Sequence, residues 1–138
     1  MFGQYRVPHL QIPYLVVASQ NDKYQLGNDV NVVPTTPAEI DYVLDFANRT
    51  RELVFSLHTA DPRRHAIFSW SCHNHAVSES QTGFNDLTSG SSPDVTSTMN
   101  DALVQFLGLY GEHTERLEWV DRCNGIACGS GCNASSYP

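Results

Sequence analysis

The chain has 138 residues, with 8 Lys+Arg against 15 Asp+Glu for a formal charge of -7, and is 41% hydrophobic and 17% charged. That size gives one domain able to bury a core of its own. The balance excludes a disordered chain, no apolar run approaches the ~20 residues of a transmembrane helix, and the Lys and Arg, apart from Arg63-Arg64, are too scattered to grip nucleic acid.

Met1 to Leu10, MFGQYRVPHL, has no basic start, apolar centre or small-residue cleavage site, so nothing in it directs secretion. On this reading the chain is either cytoplasmic or incomplete. After Pro13, the run Tyr14-Leu15-Val16-Val17-Ala18 predicts a strand buried on both faces, as in a parallel sheet, broken by Ser19-Gln20-Asn21-Asp22. Thr36-Pro37-Ala38-Glu39 is a capping box with Pro at the first helical position. Behind it Ile40, Val43, Leu44, Ala47 and Val54 keep helical spacing, which predicts a helix from Pro37 to His58.

Ala66-Ile67-Phe68-Ser69-Trp70 predicts a second strand, running straight into Ser71-Cys72-His73-Asn74-His75. Phe68, Trp70 and Tyr14 are expected in the core. Residues 81–93, rich in Ser, Gly and Thr, read as a surface loop with no core. Met99, Ala102, Leu103, Phe106, Leu107 and Tyr110 then mark an amphipathic helix, capped by Thr98 and Asp101 and stopped by Gly111. The order is strand, Asp turn, helix, strand, His turn, loop, helix and Cys-rich tail, part of an α/β sheet. Two strands alone make no stable parallel sheet.

Of the four cysteines, Cys123, Cys128 and Cys132 crowd the tail as C-x4-C-x3-C, while Cys72 stands apart. This Gly- and Ser-rich setting favours disulfides over zinc, whose sites usually carry C-x2-C pairs. Full bridging allows three pairings, in all of which Cys72 reaches into the tail. Asn48-Arg49-Thr50 and Asn133-Ala134-Ser135 are N-glycosylation sequons, which suit an exported chain.

Asp22 and His75 both follow predicted strands, where α/β enzymes carry catalytic groups, and they come in the order acid then His that α/β-hydrolases use. A carboxylate there would orient the imidazole, which in turn would serve as general base and acid. No G-x-S-x-G occurs, and Gly90-Ser91-Ser92-Pro93-Asp94 fails that pattern, so the nucleophile and the oxyanion hole are missing from the sequence. Taken alone, Asp22 also fits ordinary turn chemistry. His75 also fits a solvated loop, or a metal site with Cys72 and His73, though that site would crowd its ligands on one turn and need the tail cysteines. Gln25 either hydrogen-bonds near the acid turn or caps the next loop. His73 reads as a bystander, and His9, His58, His65 and His113 as surface or structural residues.

The stretch from Phe2 to Leu26, FGQYRVPHLQIPYLVVASQNDKYQL, resembles the acid-bearing segment of the pectin acetylesterase and Notum family, with Asp22 at the triad Asp and Gln25 at a nearby Gln. Ile67 to Ser78, IFSWSCHNHAVS, is similar to the family's strand ending in Cys-x-x-His, which puts the triad His on His75. The tail cysteines resemble its closing cluster, so the likeness runs from Phe2 to Cys132. Ala76 departs from the plant-type Cys after the His, a change the Notum branch tolerates.

The resemblance implies that residues 1–138 are the C-terminal part of one α/β-hydrolase-like domain, with sheet and helices in 1–120 and a Cys-rich tail in 121–138. It implies a secreted, cell-wall carboxylic ester hydrolase that releases acetate from acetylated pectin with a Ser from outside these residues and no metal or organic cofactor. Met1 would then be an internal start. The alternatives are a Notum-type protein deacylase and a non-catalytic binding module. The negative charge argues mildly against a polyanionic substrate.

Overall fold

A computed structural model describes residues 3–30, 34–57, 65–92, 95–108 and 117–132. A turn of helix, α1 (Gly3–Arg6), leads into β1 (Tyr14–Ser19), α2 (Lys23–Asp29) and the long α3 (Pro37–Leu57). Next come β2 (His65–Trp70), α4 (Gln81–Asp86), β3 (Thr88–Ser92), β4 (Val95–Thr98), α5 (Met99–Phe106) and β5 (Leu117–Val120). The fold is mixed α/β, a parallel sheet flanked by helices. Three strands lie in the order β1-β2-β5, and β3 and β4 form a separate antiparallel pair.

The central strand β2 is buried at every residue from His65 to Trp70. Because successive side chains point to opposite faces, Ala66, Phe68 and Trp70 join Val77, Leu87, Met99, Ala102 and Trp119 in one apolar cluster. Ile67 instead packs with Val54 and Val120 in a second cluster, on the α3 side. Strand β2 is thus covered on both faces, as a central parallel strand requires, whereas the edge strand β1, expected to be buried on both faces, is only half-buried, with Val17 exposed.

The expected helix at Pro37 forms, ending at Leu57, with His58 outside the described residues. Glu39 Oε2 accepts from the backbone N–H of Thr35 (2.8 Å) and of Thr36 (2.9 Å), while Thr36 Oγ1 accepts from Glu39 N (3.3 Å). These bonds to the charged form hold the Glu39 carboxyl below its ordinary value. Val43, Ala47 and Val54 make the buried stripe, whereas Ile40, expected on it, is exposed.

Four expectations need correction. Residues 81–93 were expected to be a coreless loop, but Ser80 caps α4 by accepting from Gly83 N (2.9 Å), and the β3–β4 pair follows. Within that segment Leu87 and Ser89 are buried, Ser89 through a hydroxyl that donates to Ser69 O at 2.6 Å. Such a contact leaves no hydrophobic pattern to read. The second amphipathic helix ends at Phe106, where Gly108 takes a positive φ of 69° suited to a left-handed stop. Leu107 is therefore exposed rather than part of the core stripe, and Tyr110 and Gly111 lie outside the described residues. Finally, β5 adds a third strand to the two read from the sequence.

Candidate functional site

Register brings the two marked turns together. In β1 and β2 Ser19 pairs with Trp70, so both strands end side by side and the chain leaves each at the same edge. Gln20 and Asn21, polar and fully buried, then lace the first turn to its neighbours. The backbone N–H of Gln20 donates to Trp70 O (2.9 Å) and its side-chain amide to Asp121 O (2.9 Å). Asn21 Nδ2 donates to Ser71 O (2.7 Å). Arg51, reaching from α3, donates to Gln20 Oε1 (2.9 Å) and Cys123 O (3.2 Å).

Asp22 is the N-cap of α2. Its Oδ1 accepts from Tyr24 N (3.0 Å) and Gln25 N (2.9 Å), two of the free N–H groups at the helix start. Its Oδ2 lies 2.8 Å from His75 Nδ1. A carboxylate only accepts hydrogen bonds, so Nδ1 of His75 carries a proton, and in the neutral imidazole the lone pair is then on Nε2. The Asp22 side chain is 12% exposed and that of His75 50%, which leaves the carboxylate sheltered and the imidazole open to solvent.

Other contacts fix the His75 loop. Asn74 Oδ1 accepts from the indole N–H of Trp70, and Asn74 O accepts from Lys23 N (3.3 Å). The Tyr24 ring stands 5.3 Å from the imidazole, tilted by 30°. Ala76, directly after His75, has a positive φ of 52°, a conformation that L-residues with a Cβ rarely adopt. A cleft of about 400 Å³ opens beside His75, lined by Asn74, Val77, Ser80, Thr82, Asp86 and Leu87.

The remaining candidates fall as follows. Gln25 is exposed in the first turn of α2, where its backbone N–H meets Asp22, and it also borders a groove along β1. Cys72 bridges to Cys132 and Cys123 to Cys128, so the tail is tied to the His75 loop. All four cysteines are consumed in bridges, which removes them as metal ligands, and among the described residues no three His, Cys, Asp or Glu side chains gather as a metal site. The disulfides suit an oxidising, extracellular environment. Asn48 is exposed on α3, with Oδ1 accepting from Arg51, and Asn133 lies outside the described residues.

His73, read as a bystander, is buried, and its pKa is lowered by burial and by the positive charge of Lys23. His65 is buried with its ring stacked 3.9 Å from Tyr14. Sequence reasoning missed Gln20, Asn21, Tyr24 and Asp121, which hold the site in place. Their partners are distant in sequence and carry no spacing signal.

No family model and no curated protein matches the chain. Among solved structures, it is similar to the Wnt deacylase Notum from Drosophila, with a TM-score of 0.70 and 22% identity over 96% of this chain. The chain spans 33% of that protein's length. The likeness is one of fold, and the parallel sheet flanked by helices is consistent with part of an α/β-hydrolase-like fold.

Proposed function

We propose that this chain carries the acid–base half of a secreted Ser-dependent carboxylic ester hydrolase of the Notum type. The observation that carries the reading is the 2.8 Å contact between Asp22 Oδ2 and His75 Nδ1 at the ends of adjacent parallel strands. With Nδ1 held as donor, Nε2 is free to take the proton of a seryl hydroxyl as it attacks the ester carbonyl. Asp22 stabilises the imidazolium that forms, and His75 then returns the proton to the leaving alcohol. The cleft beside His75 offers that alcohol a place within reach of Nε2.

The nucleophile and the oxyanion donors come from outside these 138 residues, none of which forms a G-x-S-x-G. A Notum-type deacylase is favoured over a pectin acetylesterase by the structural likeness, and the charge of -7 argues in the same direction against a polyanionic wall polymer.

The test is ester hydrolysis by this chain extended through its upstream coding sequence, with and without His75→Ala, on acyl-serine peptides of rising acyl length and on acetylated pectin. The expected result is turnover of the longer acyl esters that falls on the order of 10⁶-fold in kcat with His75→Ala. Equal turnover by His75→Ala would overturn the reading. Preference for acetylated pectin would replace the Notum-type assignment with the pectin acetylesterase one.

A further inference from the structure

Asp121 follows the last residue of β5 and is 2% exposed. Its carboxylate is held by donors from separate segments. Oδ2 accepts from Ser71 N (2.8 Å) and lies 3.1 Å from Ser71 Oγ, while Oδ1 accepts from Gly90 N (3.2 Å) and lies 3.3 Å from Ser89 Oγ. The main chain of the same residue adds two more bonds, donating to Ser69 O (2.9 Å) and accepting from Gln20 Nε2 (2.9 Å). Gly129 closes the site from the tail. Its N–H donates to Ser71 Oγ (2.6 Å), and a Cβ there would overlap Asp121 Oδ2.

These bonds reach both turns that hold the acid–base pair. Ser71 is the first residue after β2 and leads to His75, and its carbonyl receives Asn21 Nδ2 (2.7 Å), next to Asp22. Gln20, which starts the acid turn, is tied to the Asp121 carbonyl. The separation of Asp22 from His75 is thus fixed from the third strand as well as by their own contact. A buried carboxylate is costly unless its lone pairs are filled, and here the backbone N–H groups of Ser71 and Gly90 and the Ser71 hydroxyl donate to it. We propose that Asp121 is a positioning residue for the Asp22–His75 pair, clamping both turns to the end of β5.

This inference rests on the acid–base reading of that pair, but its test does not depend on turnover. In the 138-residue chain, solvent exchange of the His75 Nδ1 proton is measured by NMR beside that of the Ile67 and Phe68 amides in β2. Asp121→Asn sets an amide N–H₂ against a donor, and Ser71→Ala removes only the hydroxyl. The expected result is exchange at His75 Nδ1 faster by on the order of tenfold in each variant, with the β2 amides unchanged. A purely structural role would speed all of these protons together, and that outcome overturns the proposal. So does exchange at His75 Nδ1 equal to the parent's. If Asp121→Asn fails to fold, Ser71→Ala alone gives the reading. Loss of positioning with no effect of His75→Ala on esterase activity would keep Asp121 in this role and reject the hydrolase reading instead.

Discussion

Ser19 and Trp70 are register partners at the ends of two parallel strands, and their pairing sets Asp22 against His75. The acid lies three residues beyond its strand and the His five beyond its own. The contact therefore depends on how each turn is folded, and Asp22 does two jobs in it.

Those two jobs separate on mutation. Asn caps helices about as well as Asp, so Asp22→Asn should keep α2 in place, whereas Asp22→Ala should cost about 1 kcal/mol of stability through the lost cap. In an enzyme carrying the nucleophile, Asp22→Asn should still lower kcat by about 10⁴-fold, because an amide no longer enforces the Nδ1 proton. Urea unfolding of both variants checks the first part, and equal destabilisation would contradict it.

The two disulfides should differ in weight. Cys72–Cys132 closes a separation of 60 residues and Cys123–Cys128 one of 5. Loop-closure entropy then assigns about 4 kcal/mol to the first and about 2 kcal/mol to the second. Denaturant titration of Cys72→Ala/Cys132→Ala against Cys123→Ala/Cys128→Ala should give that order.

His73 makes stability depend on pH. Its folded-state pKa is lowered from 6.5 by burial and Lys23, so as pH falls below 6.5 the unfolded chain takes up the proton first. This contribution is complete above that pH and is lost as pH falls toward the lowered folded value. Unfolding free energies measured from pH 8 to pH 5 should decline, and His73→Gln should flatten the decline.

Ala76 stores strain beside the candidate base. Its left-handed backbone costs a residue with a Cβ about 1–2 kcal/mol, while Gly gives back about 0.5–1 kcal/mol in chain entropy. Ala76→Gly should therefore raise stability by about 0.5 to 1 kcal/mol. A loss of stability by thermal or urea unfolding would show that the Ala76 methyl contributes packing that outweighs the strain.

Much of the fold was legible because it rests on local signals. The Thr36-Pro37-x-Glu39 box and the apolar stripe behind it marked α3, and the unbroken apolar runs marked β1 and β2. Leu117-Glu118-Trp119-Val120 is too short to announce a strand, and it became one by pairing with β2. The segment from Gln81 to Ser92 hid because Ser89 is buried by hydrogen bonding rather than by apolar character. At the site, Asp22 and His75 stood out by their place after strands and by family likeness. Gln20, Asn21 and Asp121 did not, because ordinary polar residues acquire their roles only when three strand ends converge.

The most direct measurement is to sequence the transcript upstream of Met1 and translate it in frame. The expected result is a strand, a Gly-x-Ser-x-Gly turn and a helix, which would supply the hydroxyl that His75 Nε2 is set to activate. An in-frame stop codon just upstream would contradict the hydrolase reading, leave the Asp22–His75 pair with no nucleophile to serve, and put a non-catalytic binding role in its place.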